Sequence, residues 1–469
     1  MTTETANPSV NERKPGATSI VRIAFVLALA LGLATLVARH SLVAYLAEVA
    51  PQSALALNGR DPVALIRISG DDANRSLAIQ AEESRLEALA KTAAGSVAAP
   101  ASQDDSSSGN AEHDPFGPAN WAKVRDSAIT ALQGDPLNAR ALRLIGQTAA
   151  AQHDDTTAAK FMRAAAERSK RERLAYAWLM ERAFKQKDYG EALNYADVLL
   201  RVRPELIKPI TPLLAQIAEA PGGDTILVEQ LRGSPTWRSA FLSELPRNIT
   251  DARTPLNVLL KLRETSDPPT ARDLRPYIDI LIQNKFYELA YYTWLQFLAP
   301  EELKKAGFLF NGSFESEPSG LPFDWTLSAG SGVTLERAPK PGQSDQRALY
   351  IEFGQGRVDF KPVTQVVMLG PGSYRLTGLY RGELVGPRGL RWRVECLGGK
   401  AFAESDMISG IVKEWKSFDV EFSVPQQECR AQRLSLVLDA RMASERFVSG
   451  FIWYDDLAIA AVRSDVAPR

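Results

Sequence analysis

The sequence predicts a multidomain α-then-β chain with one N-terminal transmembrane helix, an α-helical repeat array and a C-terminal antiparallel β-sandwich. Three observations predict this architecture. A nearly unbroken apolar run covers residues 20–38, and a helical pattern recurs with an offset of 34 residues between 137 and 204. The hydrophobic period then changes from about 3.6 to about 2 near Gly307. A chain of 469 residues is long enough for about two to four domains.

The apolar run predicts a membrane span over residues 19–38, after a disordered cytoplasmic tail at 1–18. Arg13, Lys14 and Arg22 precede the run and Arg39 follows it, which favours a cytoplasmic N-terminus. A cleaved signal peptide is the alternative. Both interpretations export the bulk of the chain, which in a bacterium means the periplasm. We favour the uncleaved anchor and therefore expect a single-pass inner-membrane protein.

The recurring pattern predicts two helical hairpins between residues 139 and 204. Asp155 or Thr156 is expected to cap the second helix of the first hairpin. The corresponding positions of the two copies are Gly146 and Met180, Ala158 and Ala192, and Ala165 and Leu199. This spacing and the small residues Gly146, Ala158 and Ala165 resemble the tetratricopeptide family, although Met180 stands where that family usually has a small residue. The resemblance implies a non-catalytic scaffold that holds an envelope protein partner in a concave groove.

The segments around these hairpins complete the helical region. We predict a helical segment with a degenerate repeat over residues 41–97. Residues 98–118 are rich in Ser and Asp, and we predict that they form a disordered linker. The helical array is predicted over 119–306, the β-sandwich over 307–463 and a tail over 464–469.

Alternating hydrophobic and polar residues with intervening Pro-Gly and Gly-Gly turns predict about eight short strands after residue 307. The motifs that carry a resemblance are FNGSFE at 310–315, PFDW at 322–325, PGSYRL at 371–376 and IWYDDL at 452–457. They resemble a carbohydrate-binding jelly roll of the galactose-binding-like superfold. The resemblance implies a sugar-binding module, although the same fold also serves as a packing or protein-binding module.

The jelly-roll resemblance also implies a structural calcium ion between the first and last strands. Glu315, Asp455 and Asp456 stand at the matching positions, and carboxylate oxygens suit Ca²⁺. The alternative is that Asp455 and Asp456 are simply carboxylates at a strand edge. No other cofactor is expected.

Sugar sites in such folds stack pyranose rings on exposed aromatic side chains. Alternation places Trp392 and Cys396 on one face of a strand and Arg391, Arg393 and Glu395 on the other. We therefore expect the charged face to contact glycan, with Tyr380 and Trp415 as further candidates; a merely solvated face is the alternative. The aromatic side chains considered are Trp325, Tyr380, Trp392, Trp415 and Trp453.

Cys396 and Cys429 are the only cysteines, and in an oxidising compartment we expect them to form one disulfide. Closing such a loop stabilises by roughly 3–4 kcal/mol in the chain-entropy model. No nucleophile-elbow, phosphate-loop or HExxH motif is present, so we expect no enzyme activity. The carboxylates that a glycosidase could use are Glu395, Glu404, Asp406 and Glu421.

The net charge of −1 gives no case for nucleic acid as the general partner, and none is expected. The order of domains is similar to that of helical-repeat envelope proteins found with bacterial exopolysaccharide assembly genes. That similarity implies an accessory protein for surface polysaccharide synthesis or export, with the β-domain in contact with glycan. A purely structural scaffold without glycan contact and a carbohydrate-active enzyme remain alternatives.

Overall fold

The computed structural model describes residues 17–75 and 121–462, with side chains from residue 24 onward. The predicted N-terminal tail (except its last two residues), the linker at 98–118 and the C-terminal tail lie outside the described residues. The chain divides into two compact units, residues 1–202 and residues 203–469. The helices of the first unit and the two-sheet sandwich at the end of the second confirm the predicted α-then-β fold class.

The first unit begins with an apolar helix, α1, that runs from Ala17 to Val49 and so continues well past the predicted end of the span. Its segment Ala24–Val49 is long and apolar enough to cross a membrane, as a signal sequence also would be. The next helices are α2 (Pro51–Leu57) and α3 (62–75). Small buried residues Ala47, Ala54 and Ala64 let these three elements pack closely.

Two hairpins of matching length follow α4 (Trp121–Gly134). The helices of the first hairpin are α5 (Ala139–Ala151) and α6 (Asp155–Arg168), and those of the second are α7 (Arg173–Lys185) and α8 (Tyr189–Val202). Each helix of the second hairpin begins and ends 34 residues after the corresponding helix of the first hairpin. The sequence repeat is therefore also a structural repeat.

The turn of each hairpin is built in the same way. His153 and Lys187 have positive φ of 60° and 61°, and the next residue in each copy is an aspartate that caps the following helix. Asp154 accepts a hydrogen bond from the Thr157 backbone N–H at 3.0 Å. The prediction of Asp155 or Thr156 as the cap was wrong, because the left-handed His153 already completes the turn, so that Asp154 is the cap and the helix begins at Asp155.

The second unit starts with seven short α-helices. They are α9 (Ile207–Glu219), α10 (Gly223–Leu231), α11 (Arg238–Glu244), α12 (Thr254–Arg263), α13 (Ala271–Gln283), α14 (Tyr287–Gln296) and α15 (Pro300–Lys304). Proline lies in or directly before several of them, which keeps these helices short.

In the described part of the chain, nine strands form two antiparallel sheets that pack face to face. The five-stranded sheet has the order β1-β2-β9-β4-β7 and the four-stranded sheet the order β3-β8-β5-β6. The strands are β1 (Val333–Lys340), β2 (Gln343–Phe353), β3 (Val363–Val367), β4 (Gly372–Val385), β5 (Leu390–Cys396), β6 (Ala401–Glu404), β7 (Gly410–Val424), β8 (Gln432–Leu438) and β9 (Ser449–Ala461).

The core between the sheets is rich in aromatic rings. Trp325 and Trp392 are buried there, and Trp392 meets Tyr454 edge to face at 5.5 Å between ring centroids. Cys396 and Cys429 are joined by a disulfide whose Cα atoms are 5.1 Å apart. The bond ties the end of β5 to the loop before β8.

The hairpin α13–α14 packs on the sandwich within the second unit. Trp294 meets Phe310 edge to face at 5.0 Å and lies 5.8 Å from Phe323, while Tyr291 meets Phe323 at 5.2 Å. Arg430 donates to Glu288 at 2.7 Å, and Arg275 donates to the Gly320 carbonyl oxygen at 2.6 Å. The predicted domain start at residue 307 thus falls inside the second compact unit.

Candidate functional site

Three aromatic rings lie together on the outer face of the five-stranded sheet. Tyr350 of β2 is paired with Trp453 of β9, and Phe451 lies two residues before Trp453 on the same face of β9. The Tyr350 ring centroid is 4.6 Å from that of Trp453 and 6.3 Å from that of Phe451. Tyr350, Phe451 and Trp453 are called the aromatic surface below.

Strand alternation explains why these rings face outward. Leu349 and Ile351 on β2, and Ile452 and Tyr454 on β9, are buried in the core. The residues between them must project from the opposite face. Tyr350 and Trp453 are half-buried by their neighbours, and Phe451 is 39% exposed. The aromatic surface therefore offers apolar ring area to solvent.

Apolar side chains extend this surface across the next two strands. Glu383 of β4 pairs with both Phe451 and Ile411 of β7, so the three lie in one row on the outer face. Val385 follows two residues after Glu383 and shares its side of the strand. Ile411 is 62% and Val385 is 54% exposed.

Charged side chains lie directly beside the rings. Glu336 is paired with Tyr350, Glu352 with Phe451 and Arg381 with Trp453. Burial raises the pKa of the Tyr350 hydroxyl, and the charge and hydrogen bond of Glu352 and the charge of Glu336 raise it further. Tyr350 is therefore neutral at physiological pH and can donate a hydrogen bond to Glu352 or to a ligand.

A buried lysine lies further along the same face. The Lys340 Nζ is 2.5 Å from Asp455 and 3.7 Å from Asp456, and it lies 5.2 Å from the centroid of the Trp415 ring. Lys340 and Asp455 are both almost fully buried. Burial alone would lower the pKa of Lys340. The hydrogen bond to Asp455 and its negative charge outweigh this effect, so the pKa of Lys340 is raised.

The residues predicted to hold calcium do not fit that ion in this arrangement. Glu315 accepts a hydrogen bond from the Arg347 backbone N–H at 3.2 Å, while Asp455 and Asp456 face the Lys340 ammonium. Within 24–75 and 121–462, no three His, Cys, Asp or Glu side chains are grouped so that they could hold a metal ion. An ammonium ion supplies the positive charge to these two aspartates.

The charged face predicted to contact glycan is the outer face of the four-stranded sheet. Arg391, Arg393 and Glu395 do lie on that face, but oppositely charged side chains hold them. Arg391 binds Glu404 at 2.6 Å and Asp439 at 3.1 Å. Arg393 also binds Glu404, at 2.8 Å, and Glu395 binds Arg433 at 3.1 Å. This network neutralises the charges from within the chain.

The protein's own helices also cover part of that face. A cavity of about 350 Å³ separates α13 from β3 and β8, with Arg275, Asp279 and Ile282 on the helix side. Burial raises the pKa of the Asp279 carboxyl despite the nearby charge of Arg275. Thr364, Val366 and Arg433 line the sheet side of this cavity.

The other predicted glycan contacts have mixed outcomes. Tyr380, named as a candidate for glycan contact, is only 8% exposed and packs in the core near Tyr454 and Phe418. Trp415 is half-buried and lies against Lys340. Of the carboxylates considered for catalysis, Glu404 binds two arginines and Glu421 binds Arg375.

Sequence reasoning missed Tyr350 and Phe451, and it considered Trp453 without assigning it to a face. The signal was present in the alternation of FIWY at 451–454, where Phe451 and Trp453 must share one face and Tyr454 the other. What alternation does not show is that Tyr350, about a hundred residues earlier, is the cross-strand partner of Trp453.

No family model matches the chain, and no curated protein matches it. Among solved structures, the chain is similar to a CBM4 carbohydrate-binding module, with 13% identity over 33% of this chain and 99% of that one and a TM-score of 0.25. It is similar to the TmCBM61 module in complex with β-1,4-galactotriose, with 21% identity over 34% of this chain and 99% of that one (TM-score 0.24). It is also similar to the xylan-binding CBM22-1 domain from Paenibacillus barcinonensis, with 16% identity over 33% of this chain and 93% of that one (TM-score 0.23). Similarities at this level assign no ligand to this chain.

Proposed function

We propose that the β-sandwich binds a glycan on the aromatic surface, and that the protein is a non-catalytic accessory in surface polysaccharide synthesis or export. The observation that carries the proposal is the cluster of Tyr350, Trp453 and Phe451 on an exposed sheet face. Leaving large aromatic rings partly in solvent is less favourable in free energy than burying them, and a ligand that covers the rings removes this cost.

The chemistry of the surface suits a sugar chain. The C–H groups of a pyranose ring can stack on an aromatic face, while its hydroxyl groups need hydrogen-bond partners at the edge of that face. Glu336, Glu352, Glu383 and Arg381 provide acceptors and a donor in the rows beside the rings. Five strands at about 4.8 Å spacing extend over roughly 19 Å, which accommodates several sugar units in a row.

The remaining parts of the chain support the accessory role. The apolar segment Ala24–Val49 would anchor the protein in the inner membrane with its bulk in the periplasm. The repeated hairpins α5–α6 and α7–α8 would form a tetratricopeptide-like surface for an envelope protein partner. In this arrangement the helical unit holds the assembly machinery, and the sandwich holds the polymer.

The proposal is tested by replacing Trp453 with alanine in the full-length protein in detergent. We expect Trp453→Ala to weaken binding of a panel of neutral and charged oligosaccharides by about tenfold or more, because the largest ring of the surface is lost. Isothermal titration calorimetry would measure the affinity, and circular dichroism would confirm the fold.

The matched control is Tyr292→Ala, which removes an aromatic ring that is 62% exposed on α14. This variant should bind as the unaltered protein does. If the folded protein binds no oligosaccharide of the panel, or if Trp453→Ala binds as well as the control, the proposal is wrong.

A protein-only scaffold is the second candidate, and the aliphatic side chains Ile411 and Val385 favour it. They continue the exposed apolar area without offering rings for stacking. Under this alternative, Ile411→Ser would release a protein partner recovered by crosslinking, while oligosaccharide binding would be absent from the start.

A further inference from the structure

Negatively charged side chains outnumber positively charged ones beside the aromatic surface. Glu336, Glu352 and Glu383 are exposed carboxylates, and Arg381, which is half-buried, is the one guanidinium in the same two rows. They leave a net charge of −2. In the described part of the chain, no ion pair holds any of the three carboxylates.

The carboxylates are close enough to the rings to act on a stacked ligand. Directly paired residues on one face of an antiparallel sheet have Cβ atoms about 4.5–5.5 Å apart. Glu336 therefore lies beside Tyr350, and Glu352 and Glu383 lie on either side of Phe451. A sugar on the rings would present its ring substituents to these carboxylates.

Neighbouring charges do not reverse this imbalance. Lys413 and Glu414, which lie in β7 at the register shift beside Arg381, cancel in net charge. Lys416 pairs with Tyr380, whose ring is in the core. Lys340 is already held between Asp455 and Asp456. An anionic sugar would therefore meet repulsion on this face, and a cationic sugar would meet attraction.

On the outer face of the four-stranded sheet, by contrast, positive and negative side chains are balanced. There the arginines Arg391, Arg393 and Arg433 are matched by Glu395, Glu404 and Asp439 within one network of ion pairs. Unpaired carboxylates are thus a feature of the sheet that carries the rings. Stacking rings bordered by exposed carboxylates are complementary to a sugar that has both an apolar ring face and a protonated amine.

We propose that the glycan bound on the aromatic surface carries free amino groups, as in a polymer of glucosamine units, with Glu336, Glu352 and Glu383 as the specificity-determining residues. This inference rests on the proposed function, because it assumes that the rings bind a glycan. It further assigns the charge of that glycan.

The experiment compares three oligosaccharides of equal length on the full-length protein in detergent: glucosamine, N-acetylglucosamine and galacturonate oligomers. The first two share one backbone and differ in the free amine. At a mildly acidic pH and low salt, we expect the glucosamine oligomer to bind at least about tenfold more tightly than its acetylated form. The galacturonate oligomer should bind most weakly, and added salt should reduce the preference for glucosamine.

The double variant Glu336→Gln, Glu352→Gln keeps the shape of both side chains and removes two charges. It should lose about tenfold in affinity for the glucosamine oligomer, at about threefold for each charge, and bind the acetylated oligomer unchanged. Glu167→Gln, at an exposed glutamate on α6, is the control and should change neither affinity.

The outcomes separate the two proposals. Equal affinity for the acetylated and free amino sugars, preference for galacturonate, or an unchanged double variant would overturn the amino-sugar inference and leave glycan binding in place. Absence of binding by the folded protein to these three oligomers and to every oligosaccharide of the wider panel would overturn both.

Discussion

Lys340 is a residue whose role depends on burial. Its ammonium is held at 2.5 Å from Asp455, and both side chains are nearly inaccessible to solvent. Because its pKa is raised in the folded protein, the charged form contributes stability at neutral pH and loses that contribution only as the pH rises through the alkaline range. Lys340 thereby supplies a positive charge to the buried Asp455 carboxylate.

Lys340→Met should therefore destabilise the second unit by about 3 kcal/mol near neutral pH, since Asp455 would remain buried without a counterion. Burial already raises the pKa of Asp455, so at acid pH the variant can protonate this carboxyl and the loss should shrink. Chemical denaturation at both pH values would measure the difference.

The control for this prediction is Lys361→Met, which breaks the exposed ion pair with Asp359. It should change stability little at either pH. Equal destabilisation by the two substitutions, or a Lys340→Met loss that does not depend on pH, would contradict the role assigned to Lys340.

Individual side chains show how far the sequence could predict the candidate site. Alternation correctly separated buried Trp392 from Arg391 and Arg393 on the other face. It could not show that Glu404 and Asp439 neutralise those arginines, because Glu404 lies at the end of β6 and Asp439 directly after β8. Tyr380 was named as a candidate glycan contact although it is buried, because alternation sorts a strand into two faces without saying which one is buried.

At the scale of elements, close packing within the first hairpin depends on Gly146. A Cβ atom built at Gly146 would lie 3.0 Å from the Met162 side chain and 3.2 Å from its backbone nitrogen. The second helix therefore approaches to a distance that excludes a larger side chain here.

Gly146→Leu should destabilise the first unit by about 1–3 kcal/mol, through overpacking against α6. Thermal denaturation followed by circular dichroism would measure it. Gly190→Leu is the matched helical control, because the nearest atom to its Cβ would be 3.8 Å away. A Gly146→Leu variant as stable as the control would show that the hairpin can open without loss.

Elements with strong local signals were the ones predicted well. The 34-residue offset is set by apolar and small residues that recur within each hairpin, so the sequence alone predicts the repeat. The pairing of β2 with β9 joins residues that are far apart in the chain. Only the folded sheet brings Tyr350 to Trp453, and the aromatic surface was therefore missed.

At the scale of the whole molecule, the sandwich shares its compact unit with the preceding helices. Trp294 is 2% exposed and lies against Phe310 and Phe323. The change of hydrophobic period near residue 307 predicted a domain boundary there. A change of period shows only where the strands begin. It does not show which surfaces pack together.

A fragment of residues 307–469 should therefore be less stable than one of residues 203–469. Burying a large aromatic ring removes about 150–250 Å² of surface, which at about 25 cal/mol per Å² makes the expected loss on the order of 4 kcal/mol. Urea denaturation would compare the two fragments. Equal stability would mean that the helices add nothing to the sandwich.

The disulfide between Cys396 and Cys429 has a consequence for following the protein in cells. These are the only two cysteines of the chain, and the bond uses both. A molecule that reached an oxidising compartment would present no thiol to an alkylating reagent, whereas one retained in the cytosol would present two. The number of reactive thiols is thus a built-in marker of the side of the membrane on which the sandwich folded.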